Sequence, residues 1–354
     1  MTLPVDLPIA PMLAKAVATV PAPSKVEGGY SYEPKWDGFR CIVSRDGDAV
    51  ELGSRGEKPL TRYFPEVVEA VLRLLPEQVV VDCELVVRRG EPGAQRLDWE
   101  ALAQRIHPAE SRITRLAAET PAEMVCFDLL ALGDESLLDR PFHERRTRLE
   151  AVLGGLSGDD PIHLTRTTAD PAEAERWFEE FEGAGLDGVM AKPMNDPYAP
   201  GKRTMLKIKH KRSTDAVVYG YRVHKSGVGV GSLLLGLYDE DGQLRPVGGI
   251  VSLPDAMRKA LVEELEPLVR RDDSGAQERA ESQRSRFSVG KDAGFVPLEP
   301  SLVVEIGFDQ LEGSRLRHAA SFVRWRPDRE PESCLLSQIE RAPAYDLGDV
   351  LVRG

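Results

Sequence analysis

The chain has 354 residues, 42% of them hydrophobic and 29% charged, with 46 Lys and Arg against 58 Asp and Glu for a formal net charge of −12. This length suits two domains with sizeable cores, and the composition reads as an ordinary soluble protein. No apolar run reaches the roughly 18 residues of a membrane span. Residues 1–17 also lack a signal-peptide pattern, so no membrane partner and a cytoplasmic location are expected.

In chain order, the first half mixes strand-like runs with amphipathic helices. Apolar or alternating runs at 29–34, 40–43, 79–87, 124–132, 188–192 and 205–209 predict strands. Helical spacing predicts helices at 63–75, at 99–106 with Asp98 as N-cap, at 142–153, and after Asp170-Pro171 up to the glycines near 183–185. After about His210 the runs at 216–223, 232–238, 245–251, 302–308 and 322–325 read as short strands, with a hairpin turn at 239–242 and one helix at 254–270. The polar stretch 272–292 reads as a loop. Five short strands and one helix suit a small β-barrel of the oligonucleotide-binding type. The four cysteines, Cys41, Cys83, Cys126 and Cys334, form no C-x-x-C pair, which argues against a zinc site or a disulfide framework.

An acidic protein is a poor partner for phosphate backbones unless its cations cluster. They do. Between 202 and 225 stand Lys202, Arg203, Lys207, Lys209, Lys211, Arg212, Arg222 and Lys225 with Asp215 as the one acid, and Arg315, Arg317, Arg324, Arg326 and Arg329 form a second group. A solvated charged surface is the plain alternative.

Five segments carry chemistry. The sharpest is Glu33-Pro34-Lys35-Trp36-Asp37-Gly38-Phe39-Arg40; alone it reads equally as a strand end and a turn. In the apolar run 79–87, Asp82 and Glu84 share one strand face. Two carboxylates in such a run are costly unless they face cations or a site. Lys207 and Lys209 likewise share a face, with Leu206 and Ile208 on the other, a disposition suited to a polyanion such as a triphosphate. Asp187 opens the run 188–192, and Phe127 lies in the run 124–132 as either a base-stacking platform or a core residue. A lysine attacks phosphorus only when neutral, yet its unperturbed pKa is about 10.4. A pocket with further cations lowers that value, and lysines with a carboxylate-held Mg²⁺ would neutralise the phosphates.

These segments, in this order, resemble the collinear motifs of the covalent nucleotidyltransferases: DNA ligases, RNA ligases and mRNA capping enzymes. A sixth motif is recognisable in Phe322-Val323-Arg324-Trp325-Arg326-Pro327-Asp328-Arg329. Pro11-Met12-Leu13-Ala14, Leu138-Asp139-Arg140-Pro141 followed by Glu144-Arg145-Arg146, and Arg317-His318 are similar to the small bacterial ATP-dependent DNA ligases of the ligase C and D type, with ligase C the nearer match.

The resemblance implies an α+β fold. An adenylation (nucleotidyltransferase) domain over 1–209, with antiparallel sheets and flanking helices, precedes an OB-fold barrel domain over 210–354, hinged near 209–212. It implies sealing of 3′-hydroxyl/5′-phosphate nicks in duplex DNA through a lysyl-AMP and a DNA-adenylate, with ATP and Mg²⁺ or Mn²⁺ as cofactors. Lys35 would carry AMP, Glu33 would select adenine, Phe127 would stack on it, and Arg40 and Arg55 would contact the ribose and the nick phosphate. Glu84 would bind ribose or, with Asp187, the metal. Lys207 and Lys209 would hold the α-phosphate, and Arg326, Asp328 and Arg329 would orient pyrophosphate. Asp187 departs from the Glu common among relatives, and Arg329 from Lys. A monomeric, nucleoid-associated repair enzyme working with DNA-end-binding proteins is expected, with RNA ligation or another covalent nucleotidyl transfer as the alternative.

Overall fold

The computed structural model describes residues 3–56, 58–210, 212–281, 294–309, 311–312, 315–339 and 343–351. Lys211 of the basic run and hinge, and residues 282–292 of the polar stretch, lie outside them. The chain divides into two compact units, Met1–Lys209 with Ala342–Gly354, and His210–Arg341.

The first unit contains two sheets. One is four-stranded, with Leu13–Val17 parallel to Arg203–Ile208, and Val189–Pro193 antiparallel to both Arg203–Ile208 and Tyr30–Pro34. The other is built on Phe39–Asp46, Gln78–Arg89 and Ala122–Leu132, all antiparallel, with Ala49–Ser54 at one edge. Side-chain alternation sorts both sheets. Tyr30, Tyr32, Val189, Ala191 and Ile208 enter one core with Trp177 of the helix Pro171–Glu180. Cys41, Cys83 and Cys126 enter a second, backed by the helices Pro65–Leu74 and Phe142–Leu153. The opposite faces, bearing Glu33, Met190, Lys207, Arg40, Glu84 and Phe127, line a common pocket.

Capping follows the expected chemistry. Asp98 accepts the Ala101 N–H at 2.8 Å, and Asp170 accepts that of Ala172 at 2.9 Å. The strands Leu13–Val17 and Ala49–Ser54 and the helix Glu110–Glu119 are additions to the predicted elements.

In the second unit the strands Arg212–Val223, Val230–Tyr238, Leu244–Ile250 and Gly294–Phe308 pair antiparallel, Ser321–Trp325 adds to Gly294–Phe308, and the helix Asp255–Leu265 supplies Leu261 and Leu265 to the core. This is the OB-fold arrangement. The hairpin at Asp239 forms as expected, its carboxylate accepting from Asp241 and Gln243 N–H. Within the polar stretch, Ala280–Glu281 pairs with the start of Gly294–Phe308.

The sequence assigned residues 210–354 to the barrel, but the last segment packs with the first unit. Leu347 is fully buried and Val350 nearly so, in the core that holds Trp177. Asp346 accepts the N–H groups of Gly93 and Gln95 at 3.1 and 2.8 Å. Leu347→Ala is therefore expected to destabilise the first unit by about 2–4 kcal/mol through the cavity it leaves. Urea unfolding checks this, and an unchanged midpoint would show that the segment is not part of that core.

Candidate active site

Lys35 is held at the end of the strand Tyr30–Pro34 by its backbone. Its N–H donates to Gly188 O at 2.8 Å, and its carbonyl accepts from Asp187 N at 3.0 Å. This clamp brings the Asp187 carboxylate to the nucleophile candidate: Oδ2 lies 2.6 Å from Lys35 Nζ and 2.6 Å from Lys209 Nζ. Two glycines make the approach possible. A Cβ on Gly38 would meet Leu85 O at 2.0 Å, and one on Gly188, whose φ is 128°, would meet Ile208 O at 2.0 Å. The Gly38 N–H donates to Glu84 Oε1 at 3.1 Å, joining the turn after Lys35 to the carboxylate strand, while Trp36 Nε1 donates to Thr165 Oγ1 at 2.8 Å beneath it.

Lys207 lines the same pocket, and burial, then Lys209, Lys35 and Arg55 beside it, lower its proton affinity. Lys35, Lys207 and Arg55 line the pocket, whereas Lys209 and Asp187, which sequence placed with them, are not among its lining residues. Lys207 and Lys209 do not act alike, because Lys209 is committed to Asp187.

Glu33, also in the pocket lining, is 2% exposed and ion-paired through Oε1 with Lys192 Nζ at 2.8 Å. Burial raises the Glu33 proton affinity, and Lys192 opposes that rise. The Lys192 ammonium also donates to Phe127 O at 3.3 Å and stands 4.6 Å from the Phe127 ring centroid. Sequence reasoning missed Lys192 as a site residue. Its signal was a lone charge in the run Val189–Pro193, the same anomaly that drew attention to Asp82.

Phe127 was ambiguous in sequence. Pairing resolves its orientation: Asp82 opposes Asp128 and Cys83 opposes Cys126, so Phe127 is the extra residue of a β-bulge. Alternation from Cys126, which stays in the core, turns Phe127 to the pocket, and the bulge brings Asp128 rather than Phe127 opposite Asp82. Arg40 Cζ stands 4.5 Å from its ring centroid. Arg40 is forked onto Asp82, which is fully buried. Asp82 and Glu84 therefore share a face, as the alternation predicted, but Asp82 holds an arginine and Glu84 lines the pocket. Met190 and Met205 also line it and were not singled out from sequence, and so do Met12 and Arg203, named there only within the Pro11–Ala14 motif and the first basic run.

Arg326, Asp328 and Arg329 lie in the second unit. Arg326 Nη1 is 3.0 and 2.9 Å from the two oxygens of Asp215, its Nη2 is 2.9 Å from Asp328, and Arg329 Nε is 3.5 Å from Asp215. Hydrogen bonding from Arg326 holds the Asp328 carboxyl down at about 2. Asp215, the single acid in the first basic run, is thus the counter-ion of the sixth motif, a role its isolation in the sequence did not reveal.

Burial pushes the Glu84 carboxyl up to about 7, against the pull of Arg40 and Lys35. A carboxyl raised above its unfolded value contributes stability at low pH and loses that contribution as pH rises through its folded value. The melting temperature of the wild type relative to Glu84→Gln is therefore expected to fall as pH rises from its ordinary value of 4.5 to about 7, and to level off above. Thermal melts without nucleotide or metal across that window check it; a constant difference would show that Glu84 is not desolvated.

The sequence model of the ATP dependent DNA ligase domain matches residues 11–209, and that of the ATP dependent DNA ligase C terminal region matches residues 226–329. DNA ligase C of Mycobacterium tuberculosis is 53% identical over 364 aligned residues, covering 99% of both chains, and DNA ligase C1 of Mycolicibacterium smegmatis is 52% identical with the same coverage. A solved Lig E DNA ligase superposes on 91% of this chain and 100% of its own with a TM-score of 0.56 at 18% identity, a likeness of fold. No helix among the described residues is long and apolar enough to cross a membrane. The chain belongs to the ATP-dependent DNA ligases, and among them to the ligase C type.

Proposed function

We propose that the chain seals 3′-hydroxyl/5′-phosphate nicks in duplex DNA in three steps, with Lys35 as the residue that carries AMP. The observation that carries this reading is the contact of Lys35 Nζ with Asp187 Oδ2 at 2.6 Å, at the cationic end of a pocket whose other end holds Glu33 and Phe127.

In the first step Lys35 gives up its proton, with Asp187 Oδ2 the atom in contact to receive it. The lysine nitrogen then attacks the α-phosphorus of ATP. An N–P bond forms, the bond to pyrophosphate breaks, and the α-phosphate stays against Lys207 and Lys209. Phe127 stacks on the adenine, and Glu33 accepts from its exocyclic amine, which an ionised carboxylate can do and a purine 6-oxo group cannot exploit. Arg40 and Arg55 take the ribose and the nick phosphate. In the second step the 5′-phosphate at the nick displaces Lys35 from AMP. In the third the 3′-hydroxyl attacks that phosphate and AMP leaves.

A Mg²⁺ or Mn²⁺ ion fits the donors present. Such an ion takes one or two carboxylates and completes its shell with phosphates and water, so no protein cage is required, and among the described residues no group of three or more candidate ligands occurs. Glu84 would hold it, joined by Asp187 when that carboxylate releases an ammonium; the ion would neutralise phosphate charge. Arg326, Asp328 and Arg329 would orient pyrophosphate in the first step, which requires the unit His210–Arg341 to reorient between steps. The assignment to break repair, with DNA-end-binding partners, follows the ligase C resemblance.

Incubation with α-labelled ATP and divalent metal, after any bound AMP has been stripped, tests the reading. Label is expected on the wild type and on none of the Lys35→Ala protein after denaturing separation. An unlabelled wild type, or a labelled variant, would sink it. Equal sealing of DNA and RNA nicks in competition would move the substrate assignment toward RNA.

A further inference from the structure

We propose that Tyr198 is a positioning residue that ties two walls of the nucleotide pocket together from behind, joining the segment at Met12 to the Arg40 clamp. The proposal rests on reading that pocket as the ATP site.

Tyr198 does not line the pocket. It is 4% exposed, and its ring packs in a core cluster with Ile42, Val80, Leu130 and Met205. Its hydroxyl is the junction. The oxygen accepts the Met12 N–H at 3.1 Å and donates to Asp82 Oδ2 at 2.6 Å. Asp82 in turn holds Arg40 Nε and Nη2, one on each oxygen. Met12 and Arg40 both line the pocket.

A hydroxyl has one proton to give. Here Asp82, acceptor-only when ionised, takes it, so the Met12 N–H can be met only by the oxygen lone pairs. The direction of every bond in the chain Met12 to Tyr198 to Asp82 is thereby set, and burial together with Asp82 keeps the Tyr198 hydroxyl protonated. No other hydrogen-bond acceptor for the Met12 N–H is found among the described residues. One oxygen atom therefore supports the backbone of one wall and the carboxylate that aims Arg40 in the other. Removing it leaves a buried N–H without an acceptor and Asp82 one donor short, and a buried group left unpaired costs more than a typical bond contributes.

The test is a cycle of Tyr198→Phe, Arg40→Ala and the double variant, read as KM for ATP and kcat in covalent labelling, with the active fraction counted from the amplitude of label. Tyr198→Phe is expected to raise KM roughly tenfold with a smaller change in kcat, and to change KM less than twofold on the Arg40→Ala background. The same tenfold rise on both backgrounds overturns the proposal. So does a Tyr198→Phe protein whose KM is unchanged while its active fraction falls, since that is a purely structural loss. Should Tyr198→Phe not fold, Asp82→Asn breaks the chain at its next link and carries the same expectation, an unchanged KM again overturning it. A wild type that takes no label fails the underlying reading instead.

Discussion

A single carboxylate oxygen, Asp187 Oδ2, stands 2.6 Å from the ammonium nitrogens of both Lys35 and Lys209. The cationic end of the pocket depends on it. Lys35, Lys207, Lys209 and Arg55 crowd one space, and like charges at such range disfavour one another's charged forms; the lowered proton affinity of Lys207 registers that repulsion. Asp187 offsets part of it while leaving the region net positive, which is what a triphosphate requires on a chain of net charge −12. The paired backbone bonds between Lys35 and Asp187-Gly188 set the two side chains close together.

Deeper in the same unit the pattern repeats with other pairs. Asp82 holds Arg40, Glu33 faces Lys192, and Asp128 holds Arg145, which is wholly buried. Buried ion pairs contribute little net stability, yet breaking one is costly because the remaining charge has no water to turn to. Their effect here is geometric. Each carboxylate fixes a cation at a set place in the first unit, and the apolar faces of its two sheets carry the burial that keeps those sheets in place. Alternation along each strand separates the two tasks, so most changes to the pocket face leave the cores untouched.

This alternation explains what could be read from the sequence. Asp82 and Glu84, and Lys207 and Lys209, were legible as shared faces because charges at i and i+2 in an apolar strand point the same way and must meet a partner or a ligand there. The helix starts at Asp98 and Asp170 were legible from capping chemistry alone. Three features were not. The strand Leu13–Val17 has a short, half-exposed pattern, and its partner Arg203–Ile208 lies far along the chain. The bulge at Phe127, which brings Asp128 opposite Asp82, has no local residue that announces it. The return of residues 343–351 to the first unit rests on Leu347 and Val350, whose spacing indicates a helical turn but not which core receives it.

That return alters how the second unit is attached. The chain leaves the first unit at Lys209 and re-enters it at Ala342, so the barrel is an insertion, held at both ends, where the sequence suggested one hinge near 209–212. A unit on one tether can pivot freely about it. A unit on two tethers must turn about an axis that passes near both crossings, or else stretch one of them. The anchor beyond the second crossing is modest: Asp346 on two backbone N–H groups, Leu347 and Val350 in the core, and the Tyr345 ring 5.1 Å from that of Phe181. Buried apolar contacts suit that anchoring better than surface ion pairs, since salt screens exposed charges and leaves buried apolar contacts in place.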